Sequence, residues 1–171
     1  MVGQFDKDFE KLFEFTRSGV DDRTQAIIMA SYLEKYIGEV IKFRLPGATG
    51  PLKKKMFGNE GLLGPAVAKF DLAKALSCID NEMHNDLKVI ASIRNQFAHN
   101  IDVDSFEHPE IAKRINNLKI RPRRPNENKV MDEWNDWDNA AKFKFVAATL
   151  VSSIFNTLHR VSKMIKDGGN G

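Results

Sequence analysis

The stretch DDRTQAIIMASYLEKYIGEVIKFRL, from Asp21 to Leu45, admits one regular structure. Ile27, Ala30, Leu33, Ile37, Val40 and Ile41 recur at steps of three and four, the period of one helix face. Asp21 or Asp22 supplies an N-cap, and Pro46 with the glycines after it stops the helix. No other segment shows strand alternation or β-branched clustering, and no repeat of about 20–50 residues is visible. The partners of this helix must therefore be other helices.

The remaining segments supply them. DKDFEKLFEFTRS carries an amphipathic stripe of Phe5, Phe9, Leu12 and Phe13. PGATGPLKKKMFGNEGLLG (46–64) reads as a glycine-rich loop with a solvated lysine run. A third helix starts near Pro65, where a missing N–H costs little; Gly61 and Gly64 allow a tight entry to it, and Asp80 and Asn81 break it. A fourth helix spans about Glu82 to His99, and Glu107 to Leu118 forms a short one with Pro109 in its first turn. RPRRPNENK (121–129) is irregular, because prolines interrupt it. The last helix is expected from Met131 or Asp132 to Lys166, with acids at its start, bases at its end, and a buried stripe from Phe143 through Ala147, Leu150, Val151, Ile154, Leu158 and Val161 to Ile165. The expectation is an all-α, single-domain bundle of five main helices plus one short helix over 1–167, with a flexible tail at 168–171.

Composition bounds the function. Hydrophobic residues at 42% and charged residues at 29% suit a globular core. The single cysteine, Cys78, precludes an intrachain disulfide and reads as a buried apolar side chain. Together with the lack of a signal-peptide pattern it points to the cytoplasm. The longest apolar run, KFVAATLVSSIF, is too short to span a bilayer, so no membrane role is expected. A net charge of +3 decides nothing about nucleic acid.

The chemistry concentrates in IASIRNQFAHN, from Ile90 to Asn100. With Leu87 at zero on an ideal helix, Ile90, Ile93 and Phe97 fall at about 300°, 240° and 280°, and Ala98 at about 20°. Arg94, at about 340°, falls inside that apolar face, while Asn95 and His99 lie at about 80° and 120°. A guanidinium on a packed face needs a partner. In one reading Arg94 pairs with Asp71, Glu34 or Glu39, while His99 and Asn100 cap the helix. In the other, two copies of the helix meet across a two-fold axis, and Arg94 and His99 of both chains converge on one cleft. Arg94 would then hold a phosphate, His99 move a proton, and Asn95 orient either. That set suits metal-independent RNA cleavage by attack of a 2′-hydroxyl.

Other chemistries find no support. There is no H-E-x-x-H, paired-cysteine, Walker A or G-x-S-x-G pattern, and His84, His99, His108 and His159 lack zinc-ligand spacing, so neither a metal nor a cofactor is expected. Lys113, Arg114, Lys119, Arg121, Arg123, Arg124 and Lys129 form a basic stretch whose sole acid is Glu127. Lys119, Arg121, Arg123 and Arg124 are candidates for contacting nucleic acid or a partner; the bland alternative is a solvated proline-rich connection. The stretch has no aromatic residue to stack on bases. Trp134 and Trp137 read as packing anchors, and Arg23 as a salt-bridge or helix-packing residue.

RNQFAH (94–99) fits the R-x4-H signature of the HEPN superfamily of small helical, often dimeric domains, many of them ribonucleases. Four blocks in order, 21–45, 56–80, 93–100 (IRNQFAHN) and 105–119 (SFEHPEIAKRINNLK), resemble the mannitol-repressor-like family of bacterial proteins. The resemblance covers most of residues 20–120 and departs from the family in the lysine-rich 46–60 and the basic 121–131. It implies an all-α regulator, in a family most of whose members have no assigned role, acting through an unidentified protein partner in transcriptional control. Direct sequence-specific DNA reading is not expected, since no short recognition helix follows a tight turn. The resemblance implies Arg94, Asn95 and His99 as the catalytic set of an alternative, an RNA-cleaving toxin- or defence-type enzyme. A homodimer suits either function.

Overall fold

A computed structural model describes every residue except Met1, Ser18, Asn59, Arg124–Lys129 and Gly169–Gly171, and leaves out the side chains of several residues near both ends. Among the described residues seven α-helices follow one another: α1 (Val2–Arg17), α2 (Asp22–Arg44), α3 (Gly50–Phe57), α4 (Ala66–Ala75), α5 (Asn81–His99), α6 (Pro109–Ile115) and α7 (Asn139–Gly168). A 3-10 turn, Asp132–Asp136, precedes α7. Among the described residues the only extended pairing is a bridge between Arg123 and Val130.

α2 is the centre of the bundle, in contact with α4, α5 and α7. Asp21 caps it, its carboxylate accepting from the Thr24 amide at 2.9 Å. Its buried residues, among them Ala26, Met29, Leu33, Ile37, Val40 and Ile41, ring more than one face. A helix touched on several sides needs that wider apolar surface. α5 buries Leu87, Ile90, Ile93 and Phe97 as the wheel predicts, but Ala98 is exposed. Phe97 meets Phe106 edge-on at 5.5 Å, and Phe106 stacks on Phe143 of α7 at 4.5 Å.

α1 reaches the bundle through Leu12, Phe9 and a polar tie. Asp8 accepts from Lys35 Nζ and from the Tyr36 hydroxyl, each at 2.9 Å. Burial, then the hydrogen bond to Asp8, pushes the Tyr36 hydroxyl well above its ordinary pKa. The expected Phe5 and Phe13, like Ile165 of the last stripe, lie outside the described side chains. The rest of that stripe from Phe143 to Leu158 is buried, and Val161 is half-exposed.

Two boundaries differ from expectation. The segment 46–64 is not all loop, because α3 occupies its middle. No residue of α3 is buried and no side chain caps it, so it has no amphipathic stripe to read. Gly58 and Gly61 follow it closely: a Cβ on either would come within 2.6 Å of a carbonyl oxygen of α3. Gly61 thus serves the exit from α3 rather than the entry to α4. The last helix begins at Asn139, not near 131. Trp137 is extended, with φ −70° and ψ 141°, and Asp138 caps the true start by accepting from the Ala141 amide at 2.6 Å. Of the expected tail, Gly168 belongs to α7 and 169–171 lie outside the described residues.

Candidate functional site

Arg94 projects from α5 into a groove of about 300 Å³ between α2, the start of α4 and α5. Ala30, Leu33, Phe70, Leu87, Ile90 and Ala91 form much of its apolar lining, and Glu34, Arg94 and Asn95 add the polar part. Arg94 is half-exposed, and among the described residues its one hydrogen bond runs from Nη1 to Asn95 Oδ1 at 3.0 Å. None of the three expected carboxylate partners reaches it. Glu34 pairs with Lys69, Glu39 with Lys42 at 2.6 Å, and Asp71 with His84 at 2.7 Å. The guanidinium therefore keeps most of its donors for something else.

His99 is exposed in the last turn of α5 and does not line the groove. It does not cap the helix either: the cap is Asn100, whose amide donates to Gln96 O and whose Oδ1 accepts from the Asp102 amide at 3.1 Å. Within one chain Arg94 and Asn95 come together and His99 stands apart, as its wheel angle implies.

The end of α5 is held instead by Arg23. Its guanidinium donates to Phe97 O at 2.6 Å, Val103 O at 2.7 Å, Ile101 O at 3.1 Å and Asn100 O at 3.3 Å. These include carbonyls that a helix terminus leaves without partners. The neighbouring Asp22 accepts from the Phe106 amide at 2.7 Å. The motif Asp21-Asp22-Arg23 thus caps one helix and clasps the end of another; of the two expected roles for Arg23, salt bridge or helix packing, its contacts are those of helix packing. Its signal in the sequence is three consecutive charges at a helix start.

A second polar anchor has no signature in the sequence motifs. Asp86 is fully buried and accepts from the amides of Lys119 at 2.7 Å and Ile120 at 2.8 Å, and from Asn85 Nδ2 at 2.8 Å. On the wheel it falls at about 260°, between Ile93 and Phe97. Both charges fall on the apolar face of the wheel, but Asp86 is fully buried whereas Arg94 is half-exposed.

Asp86 also positions the basic stretch. Lys119 is exposed, Arg121 lies over the buried Trp134 ring at 4.8 Å, and Arg123 approaches Glu82 at 3.8 Å. Arg124 lies outside the described residues. The Trp134, Trp137 and Phe145 rings pack within 6 Å of one another, the nearest pair at 5.4 Å, so the tryptophans are packing anchors. Among the described residues no group of three or more His, Cys, Asp or Glu side chains could hold a metal ion. No described helix is long and apolar enough to cross a membrane.

The architecture is that of an all-α bundle built around one central helix. A solved structure shares it: a chain of the MtlR–HPr complex from Escherichia coli aligns with a TM-score of 0.57 at 15% identity. The alignment covers 90% of this chain and 98% of that one. No family model matches the sequence, and no curated protein does.

Proposed function

We propose that this chain is a cytoplasmic regulatory protein of the mannitol-repressor type, one domain over 1–167 and a homodimer, that acts in transcriptional control by binding a protein partner. The observation that carries this reading is the fold likeness to a chain of the MtlR–HPr complex across nearly the whole of both chains. It falls on the same molecule whose four ordered sequence blocks resemble that family. The partner is of the kind that HPr is in the neighbouring complex. Arg94 and Asn95 offer it an open guanidinium beside a groove with an apolar lining, and Lys119, Arg121 and Arg123 offer basic side chains beside the end of α6; Arg124, expected to join them, lies outside the described residues. Base readout is not part of the proposal.

Titration calorimetry with HPr tests it. A saturable heat with a Kd on the order of 10 μM or tighter, weakened by Arg94→Ala or by Arg121→Ala, supports the reading. No heat with about 0.1 mM HPr would remove an HPr-like partner.

One observation favours a second reading, a HEPN-type metal-independent endoribonuclease. Arg94 has no carboxylate partner among the described residues, and Arg94, Asn95 and His99 all reach solvent on α5. Arg94 would hold the scissile phosphate, Asn95 orient the guanidinium, and His99 transfer a proton while the 2′-hydroxyl attacks and the 5′-oxygen leaves. A second copy of α5 would have to complete the cleft. RNA cleavage that persists in EDTA and is lost in both Arg94→Ala and His99→Ala would establish this reading. Intact RNA in every reaction would remove it.

A further inference from the structure

The end of α4 departs from what its geometry asks of the sequence. The Ser77 amide donates to Lys74 O and the Cys78 amide to Ala73 O, both at 2.9 Å. This paired closure ends many helices, and the residue that turns left-handed in it is usually glycine. Here it is Ser77, with φ 55°. A side chain at that angle is strained, and such strain gathers where a side chain has a task.

Ser77 lines an open basin of about 770 Å³ between the end of α4, the start of α5 and α7. The basin shares no residue with the Arg94 groove. Lys74 enters it from α4 and Arg160 from α7, and among the described residues neither is in an ion pair. Arg160 gives a 3.3 Å hydrogen bond to Thr157 Oγ1, which leaves its other donors open. The one lining carboxylate, Asp80, accepts from the Met83 amide at 2.8 Å as the cap of α5. Burial pushes the Cys78 thiol up, against the pull of Arg44, so the thiol adds no negative charge.

We propose that this basin binds a small phosphate monoester, with the phosphate between Lys74 and Arg160 and the polar body against Ser77, Ser153 and Asn156. Two cations from different helices match a dianion better than a lone carboxylate, and a guanidinium fork suits phosphate oxygens. The walls carry the hydroxyls of Ser77, Ser153 and Thr157 and the amide of Asn156 beside the apolar Ile79 and Met83, enough hydrogen-bonding groups to hold a polar body. The volume falls within the roughly 300–1,000 Å³ of small-molecule sites. The inference is independent of the partner-binding reading.

The test titrates the full-length chain with glycerol 3-phosphate and, separately, with inorganic phosphate, at an ionic strength held constant with sodium chloride. Saturable binding of the monoester is expected by calorimetry. Lys74→Ala and Arg160→Ala should each weaken it about tenfold. Ser77→Gly should raise the Tm of the free protein and weaken the ligand. Melts without ligand report whether each variant folds, and Lys74→Gln replaces Lys74→Ala if that variant does not. Binding left unchanged in the folded charge variants, or no saturable binding at constant ionic strength, would overturn the proposal. So would inorganic phosphate binding as tightly as the monoester, since the walls would then hold nothing beyond the phosphate.

Discussion

Arg23 and Arg94 carry the same group, stand on adjacent helices and are both half-buried, yet they do opposite things. Arg23 gives its donors to carbonyls of residues 97, 100, 101 and 103. Arg94 touches one amide oxygen of its own neighbour. A charge that is fully engaged holds the fold, while one left open is available to a ligand or partner. The same contrast separates Asp86, with its ring of N–H donors, from Gln25, whose buried amide has no partner among the described residues.

Substitutions can break this comparison. The largest effect is expected at Asp86, where alanine strands the Lys119 and Ile120 amides and lowers stability by about 4 kcal/mol. Urea unfolding measures it, and a loss below about 1 kcal/mol would mean that water replaces the carboxylate. Arg23→Met removes donors from several carbonyls and should cost about 2–3 kcal/mol by the same assay. Gln25→Met should move the other way, raising stability by about 1 kcal/mol, because it removes a buried polar group without stranding a partner. The smallest change is expected for Arg94→Ala, within about 0.5 kcal/mol of the parent. A large loss there would make Arg94 a second Arg23 and end both functional readings.

The helices were legible wherever burial follows a helical period. α2, α5 and the stripe of α7 come directly from the spacing of their apolar residues. α3 was not legible, because nothing in it is buried and its lysines all face water. The start of α7 was misplaced because Asp132, Glu133 and Asp136 suit a helix N-terminus as well as a 3-10 turn. At the site, the sequence located Arg94, Asn95 and His99 on α5 and anticipated that Arg94 and His99 diverge. It could not separate Arg94 from its expected carboxylates, since the competition of Lys69, Lys42 and His84 for them depends on packing. Asp86 was overlooked although its wheel position was available. A lone acid beside Leu87 resembles a helix-surface charge until the chain at 119–120 is folded against it.

The Arg23 and Asp22 contacts join positions 74 to 84 residues apart. Such a closure brings its ends together only after the intervening α3, α4 and α5 have ordered, since a long loop must be shut before the contact gains anything. The clasp is expected to form on the late side of the folding barrier. Loss of Arg23 should accordingly leave the refolding rate almost unchanged and appear as faster unfolding, a φ-value near zero. The clasp then governs how long α5 stays assembled once folded, rather than how quickly the chain finds the fold.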